Sequence, residues 1–158
     1  IRNLIKMQLS IYGLYKKLIP LPLGNHLFNI GIGLKAPFFG KIRPKVIELR
    51  PAYCKIQMAD RWSVRNHIGT VNAGALCTLA EITGGMALDA AVPTSLRWIP
   101  RGMTVSYIAK GIGKLEAISE FNTPVVGVSD IVVPVVVKNT QKKTVFTADI
   151  TFYVSTKK

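Results

Sequence analysis

The stretch that most constrains the fold is residues 73–91, AGALCTLAEITGGMALDAA, which is apolar nearly all round and rich in Ala and Gly. A helix without a polar face is buried on every side, and small side chains let neighbouring elements approach it closely. Asn72 is a competent N-cap, because its side-chain oxygen can accept a backbone N–H of the first turn, and Pro93 closes the segment. The sequence therefore predicts one long buried helix around which the rest of the domain folds.

Strands are predicted before and after this helix in the sequence, because apolar and polar side chains alternate there as they do in half-buried strands. The alternating segments are residues 45–60, interrupted at Pro51, then 103–107, 115–121, 131–138 and 144–154, the last two joined as a hairpin by residues 139–143. One buried helix followed by consecutive antiparallel strands predicts an α+β domain in which a curved sheet wraps around the helix.

Residues 1–43 are predicted to form an N-terminal helical extension, and residues 44–158 the main domain. Apolar residues recur at helical spacing over residues 3–19, with lysines beside them, and prolines end the segment. Such an amphipathic helix more commonly packs against its own domain, so we expect packing and keep membrane contact by this helix as the alternative. A second short helix is expected within residues 24–40.

Composition and charge limit the kinds of partner. Of 158 residues, 49% are hydrophobic and 18% are charged, which supports one domain with its own core. The 21 Lys and Arg against 8 Asp and Glu give a net charge of +13, a field that favours a phosphate-bearing cofactor, nucleic acid or a membrane surface. Nucleic acid is disfavoured, since no recognised motif is present and the aromatic residues Tyr107, Phe121, Phe146 and Phe152 sit at strand-core spacing.

The two cysteines, Cys54 and Cys77, match neither a disulfide framework nor a metal-ligand spacing. We therefore expect no metal site, and a reducing, cytoplasmic location. No uncharged apolar stretch reaches the roughly 18 residues of a membrane-spanning helix, so none is expected.

The candidate for chemistry is Glu81, the only carboxyl side chain between residues 73 and 88. Ionising a carboxylate inside an apolar helix is costly unless it has partners. Glu81 therefore either pairs with an Arg or Lys as a structural element, or serves as a general base or nucleophile whose pKa is tuned by burial. At the start of the same helix, the backbone N–H groups of Ala73 and Gly74 are expected to be unpaired and able to hold an oxyanion.

Helix geometry places these two features too far apart to act together in one chain. Ala73 and Glu81 are eight positions apart, which is about 12 Å at a rise of 1.5 Å per residue. A base and an oxyanion site should each lie about 3 Å from the same reacting centre. Two helices related by a two-fold axis satisfy this, because each supplies its N-terminus to the other's carboxylate. We therefore expect a homodimer, or a homotetramer built from dimers.

Residues 66–74 read Asn-His-Ile-Gly-Thr-Val-Asn-Ala-Gly and are followed by Glu81. This pattern resembles the signature of hotdog-fold acyl-CoA thioesterases of the phenylacetate-degradation type, N-x-x-G-T-x-H-G-G with an Asp or Glu seven residues after the last Gly. The resemblance covers roughly residues 44–155 and implies an α+β hotdog fold. It also implies coenzyme A as the acyl carrier, bound between subunits, with no further cofactor.

The resemblance gives roles to the matching residues. It implies that Glu81 is the base or nucleophile, that the Ala73 N–H polarises the thioester carbonyl, and that Asn66 orients the nucleophile or the attacking water. Two positions depart from the signature, since Asn72 replaces its His and Ala73 its first Gly. Asn72 can still cap the helix and form hydrogen bonds as a candidate catalytic residue. It cannot carry a proton, which counts against a dehydratase.

Further site residues are expected around this signature. Oxyanion or substrate binding is predicted for Gly74, His67, Gly69 and Thr70, with His67 as an alternative proton carrier. The cations expected to meet the phosphates of coenzyme A are Arg65, Arg97, Arg101 and Lys110. The sequence thus predicts hydrolysis of acyl-CoA thioesters. The alternative, for which Asn72 is the best argument, is a non-catalytic hotdog protein that binds acyl-CoA or an acyl carrier.

Overall fold

The computed structural model describes residues 10–157. Three helices come first, α1 (Ile11–Leu18), α2 (Gly24–Lys35) and α3 (Pro37–Ile42), and strands β1 (Lys45–Arg50) and β2 (Tyr53–Met58) follow. The long helix α4 (Ala73–Ala91) comes next, and the remaining strands are β3 (Leu96–Tyr107), β4 (Leu115–Glu120), β5 (Ser129–Lys138) and β6 (Thr144–Thr156). Within the described range, no helix is long and apolar enough to cross a bilayer.

The strands form one antiparallel sheet in the order β1-β2-β4-β5-β6-β3. The predicted break of the first strand at Pro51 is confirmed, since it separates β1 from β2, and so is the β5–β6 hairpin. β1 and β3 are the two edge strands. The twelve residues of β3 include Pro100, which is tolerated at a sheet edge because its missing N–H breaks no interior ladder.

Helix α4 packs across the sheet, and its buried side chains face several strands at once. Its predicted bounds, residues 73–91, are confirmed. Gly84 explains how closely it lies against the sheet. A Cβ built there would come within 3.2 Å of Ile150 and 3.3 Å of both Val133 and Val135. Such an approach leaves no room for a larger side chain, so the small residues of α4 set the distance between helix and sheet.

The predicted helix over residues 3–19 is observed in its described part, where α1 starts after Ser10. Residues 1–9 lie outside the described residues. Ser10 caps α1 by accepting the Gly13 N–H at 3.0 Å. Tyr15 meets the buried Phe28 of α2 edge-on, with ring centroids 5.1 Å apart. The described part of this helix therefore packs on its own domain, as expected, while the division between residues 43 and 44 stays a prediction.

We expect Gly84→Val to destabilise the fold by about 1–3 kcal/mol, since the branched side chain would overpack the contact between α4 and the sheet. Gly31→Val is the matched control. Gly31 also lies within a helix, but a Cβ there meets nothing within 4 Å. Urea unfolding of both variants measures the difference. Equal free energies of unfolding for the two variants would contradict this packing.

Candidate functional site

One strip of α4 escapes full burial, and it carries the candidate site. Ala73, Cys77 and Glu81 are spaced four residues apart, so they lie on one face of the helix, and each is at least partly exposed. This strip runs beside the edge strand β3. Cys77 Sγ lies 3.3 Å from the Tyr107 hydroxyl oxygen, and a Cβ at Gly85 would come within 3.0 Å of the Trp98 ring. Because Tyr107 ends β3 and Trp98 is near its start, α4 and β3 run antiparallel.

Glu81 lies in an apolar cavity of about 210 Å³ between α4 and the N-terminal helices. The other lining residues are Ile11, Ile32, Lys35, Ala36, Phe39, Ile82, Gly85, Met86 and Trp98. Burial raises the pKa of the Glu81 carboxyl above its ordinary value. Within residues 10–157 its carboxylate has no ion-pair or hydrogen-bond partner, so the interpretation of Glu81 as half of a structural ion pair has no support there.

The start of α4 differs in one respect from the expectation that two backbone amides are free. Asn72 caps the helix, and its Oδ1 accepts the Gly74 N–H at 2.7 Å. The prediction that the Gly74 amide is unpaired is therefore wrong. The Ala73 N–H has no hydrogen-bond partner in the described part of the chain, so it remains a donor for a ligand. Ala73 occupies the first helical position, where partial positive charge is concentrated.

The loop before α4 is held in shape by Asn66. Its Nδ2 donates to Thr70 Oγ1 at 2.9 Å, and its Oδ1 accepts the backbone N–H groups of Ile68 and Thr70, both at 3.1 Å. Gly69 adopts φ +78°, the left-handed region that glycine reaches without strain. Since both lone-pair directions of Oδ1 are used, only one amide hydrogen of Asn66 is left to meet a ligand.

Asn66 and Ala73 line the same surface depression of about 230 Å³. Thr70, Tyr107 and Lys110 also line it. The residues of this depression are different from those around Glu81, so one chain places the amide donor and the carboxylate in separate cavities. This is the separation that their spacing along the helix requires.

The remaining predicted site residues are distributed over the surface. His67 is exposed on the loop. Arg65 forms an ion pair with Asp60, with Nε 2.7 Å from Oδ1. Arg101 lies 3.1 Å from both carboxylate oxygens of Asp130, and its guanidinium carbon is 4.0 Å above the centroid of the Tyr153 ring. Arg97 donates to the Ser155 hydroxyl at 3.2 Å and lines another cavity, with Lys157.

Of the four cations, only Lys110 therefore borders the depression that holds the Ala73 amide. The aromatic Tyr107 is also placed differently from the sequence expectation. Its strand spacing predicts a place in the core, but Tyr107 is 53% exposed, because it lies at the end of an edge strand. Its hydroxyl group lies beside Cys77. The walls supplied by Ile32, Phe39 and Trp98 were not anticipated either. These three residues line the same cavity as Glu81 but are far from it in the sequence, so no local pattern predicts that they meet there.

A six-stranded antiparallel sheet against one long helix, with helices before them, makes this a hotdog fold, as expected. The chain belongs to the family described as Domain of unknown function (DUF4442), whose model matches residues 24–154. It is similar to the crystal structure of the structural-genomics target APC5556, with 40% identity over 93% of this chain and 99% of that chain and a TM-score of 0.81. No curated protein sequence matches the chain.

Two more distant solved structures share the fold. One is PA5026 from Pseudomonas aeruginosa, a protein of unknown function described as a probable thioesterase, with 22% identity over 87% of this chain and 97% of that chain and a TM-score of 0.73. The other is the thioesterase HI1161 from Haemophilus influenzae, with 13% identity over 84% of this chain and 90% of that chain and a TM-score of 0.72.

We expect Glu81→Gln to unfold at a higher temperature than the wild type above neutral pH. The pKa of Glu81 is higher in the folded chain than in the unfolded one, so the stability of the wild type falls as pH rises from the unfolded pKa through the folded pKa. The amide of Gln stays neutral, so the variant does not lose this stability. The difference should vanish as pH falls to about 4, where the carboxyl group is largely protonated in both states. Thermal melts at several pH values measure it.

Glu116→Gln is a control for which we expect the opposite change in stability. Burial raises the pKa of Glu116, but hydrogen bonds from Gln57 and Lys142, together with the charge of Lys55, lower it further than burial raises it. Its contribution to stability is therefore present above the unfolded pKa and lost as pH falls. Replacing it should lower the melting temperature at neutral pH. A Glu81→Gln variant that is destabilised in the same way would show that Glu81 has a structural partner.

Proposed function

We propose that this protein is an acyl-CoA thioesterase in which Glu81 is the catalytic carboxylate. The observation that carries the proposal is the position of Glu81, a carboxylate of raised pKa facing an apolar cavity, with no ion-pair partner within residues 10–157. A structural carboxylate would be paired, whereas a general base benefits from a pKa nearer to neutral. The thioesterase names of several proteins with the same fold support the reaction class.

The reaction follows from what a carboxylate can do at a thioester. Glu81 takes a proton from a water molecule, whose oxygen attacks the carbonyl carbon, and the carbonyl oxygen becomes an oxyanion. The oxyanion collapses, the C–S bond breaks, and the proton on Glu81 passes to the leaving thiolate. Alternatively Glu81 attacks the carbonyl carbon directly, the C–S bond breaks, and a mixed anhydride and the thiolate form; water then hydrolyses the anhydride, which releases the carboxylic acid, restores Glu81 and supplies the proton that the thiolate takes up. Both routes need a donor for the oxyanion, and the unpartnered Ala73 N–H suits that role.

The donor would come from a second copy of the chain. β3 is an edge strand of twelve residues, with unpaired backbone groups along its outer side. Antiparallel pairing of two β3 strands about a two-fold axis would place the Tyr107 end of one beside the Trp98 end of the other. Since the start of α4 lies at the Tyr107 end and Glu81 at the Trp98 end, the Ala73 amide of each copy would approach Glu81 of the other.

Coenzyme A would enter from the depression at the start of α4. Lys110 borders that depression and is the cation best placed for a phosphate group. Arg65 forms an ion pair with Asp60, and Arg101 forms one with Asp130. The positive charge of each is therefore partly neutralised before a ligand binds. The net charge of +13 would favour the approach of an anionic substrate from any direction. The assignment to the phenylacetate-degradation branch stays a prediction.

The acyl group would occupy the apolar cavity beside Glu81. An apolar cavity of about 150 Å³ is known to hold benzene, with six carbons. By that measure the cavity of about 210 Å³ has room for roughly eight carbons. Glu81 is the only acidic side chain among its lining residues, so a thioester carbonyl near Glu81 would leave the acyl chain among Ile32, Phe39 and Met86.

The alternative is a protein that binds acyl-CoA without hydrolysing it. It is favoured by the start of α4, where Asn72 stands in place of the His of the signature and uses its side chain to cap Gly74. Of the two amides that the sequence predicted for an oxyanion, those of Ala73 and Gly74, only the Ala73 N–H is then left without a partner within residues 10–157. Binding of acyl-CoA without turnover by the wild-type protein would support this alternative and overturn the proposed activity.

Ala73→Pro tests the amide directly. Proline is well tolerated at the first helical position, and the extended backbone of Asn72 suits the residue before a proline, so the variant should fold while lacking the N–H. We expect kcat to fall by about 10²–10³-fold, as when an oxyanion donor is removed, while the melting temperature is kept. Ala73→Gly is the matched control, since it retains the N–H. Thiol release from acyl-CoA is the measurement.

Mixing two inactive variants tests the shared site. Glu81→Gln removes the carboxylate, and Ala73→Pro removes the donor. A mixed dimer of the two would contain one complete site, made from Glu81 of one copy and Ala73 of the other. Random exchange should restore about a quarter of the wild-type activity, because half of the dimers are mixed and each has one working site of two. If the site were formed within one chain, no activity would return.

The cavity predicts a dependence on acyl-chain length. In the wild type, kcat/KM should rise by about fourfold for each added methylene, which corresponds to about 0.8 kcal/mol of apolar burial, up to about eight carbons. Ala36→Phe should shift the preferred chain to a shorter length and Phe39→Ala to a longer one, because both residues line the cavity. Phe38→Ala is the control, since Phe38 is 71% exposed outside this cavity. An unchanged length profile in both cavity variants would refute the acyl site.

A further inference from the structure

Helix α2 is apolar on both sides, although only one side packs against the protein. Phe28 and Ile32 are buried beneath it, 0% and 7% exposed. On the opposite side lie four large apolar side chains, Leu23, Leu27, Ile30 and Leu34, which are 76%, 50%, 48% and 78% exposed. At 3.6 residues per turn Leu27, Ile30 and Leu34 fall within an arc of about 60°, and Leu23 is the N-cap residue of the helix. We call this set the outer face of α2. Its side chains are about half exposed or more within residues 10–157.

The charged residues of the three N-terminal helices, residues 11–42, all have one sign. The first 47 residues contain eight Lys and Arg residues and no Asp or Glu, so they hold eight positive charges of the total of +13. Lys16 and Lys17 are exposed on α1, and Lys41 is exposed on α3. The outer face of α2 is therefore apolar, while the helical layer that presents it is purely basic.

We propose that the outer face of α2 docks on the surface of an anionic lipid bilayer. A helix that presents apolar side chains on one side and sits among lysines is suited to lie in the interface, with its apolar side in the acyl boundary and the lysines at the headgroups. Each Lys or Arg near an anionic membrane surface adds to the attraction. The proposal concerns α2 and not the helix at residues 3–19, and it does not depend on the thioesterase activity.

A second copy of the chain suits this face less well. Self-association across the outer face would place two helical layers of the same positive charge against each other, with no acidic side chain among their first 47 residues to pair with them. Nucleic acid would use the lysines but would leave the leucines exposed to water. An anionic bilayer is the surface that offers both an apolar region and negative charge.

The test is co-sedimentation of the full chain with vesicles. Wild-type protein should pellet with phosphatidylcholine vesicles that contain phosphatidylglycerol, and much less with phosphatidylcholine alone. Binding should weaken when salt is raised from about 0.1 M to about 1 M, which shortens the Debye length from about 10 Å to about 3 Å. The double variant Leu27→Glu, Leu34→Glu should lower the ratio of bound to free protein by about tenfold or more.

The matched control is the double variant Val126→Glu, Val128→Glu, which changes the net charge equally at apolar positions that are 77% and 55% exposed. It should keep most of the binding. Equal pelleting of the wild type and the α2 variant would overturn the proposal. So would lipid-independent self-association of the wild type that the α2 variant abolishes, since a second copy would then be the occupant. Circular dichroism of both variants verifies that they are folded.

Discussion

The burial of α4 against the sheet is the constraint from which the rest of the structure follows. Gly84 lets Val133, Val135 and Ile150 approach within contact distance, and eleven of the nineteen residues of the helix are buried. The buried Thr78 and Thr83 donate their hydroxyls to backbone carbonyls of the helix, whereas a carboxylate in an apolar setting needs access to water or a partner. Glu81 lies on the strip of α4 that escapes full burial, and its surroundings are still apolar enough to disfavour the charged form.

The same strip is the physical basis of the proposal that two copies of the chain share the site. Its residues Ala73, Cys77 and Glu81 follow one another along the helix axis, so the groups at its two ends are separated along the axis and cannot converge on one atom. Convergence needs a second helix of opposite direction alongside, and a two-fold axis at the open edge of β3 would provide one. The edge that leaves Tyr107 half exposed is thus also the edge at which a second copy would complete the site.

Much of this could be predicted because the signals are local. The bounds of α4 follow from Asn72 before it and from Pro93 after it, and alternation with a period of two predicts a segment of each strand. It predicts only residues 103–107 of β3, which begins at Leu96. The errors arise where a group has a choice of partner. Gly74 was expected to offer a free amide, but the residue two positions earlier satisfies it, and a cap residue always competes with a ligand for the first amides of its helix. The partners of Arg65 and Arg101 could not be read from the sequence, because an ion pair with Asp60 or Asp130 depends on how loops and strands meet.

The N-terminal helices are the part of the protein that sequence patterns predict least well. One side of these helices lines the cavity around Glu81, and the other carries exposed apolar side chains. Towards the core, Ile32 and Phe39 close the cavity around Glu81, so the environment that raises the pKa of this carboxyl is partly built by them. Towards the outside, Leu27 and Leu34 remain in water, which is unfavourable for large apolar side chains unless a partner covers them. A periodic pattern identifies one apolar side of a helix and assigns it to the core. When both sides are apolar, as in α2, the pattern alone does not say which side the protein buries and which it leaves for something else.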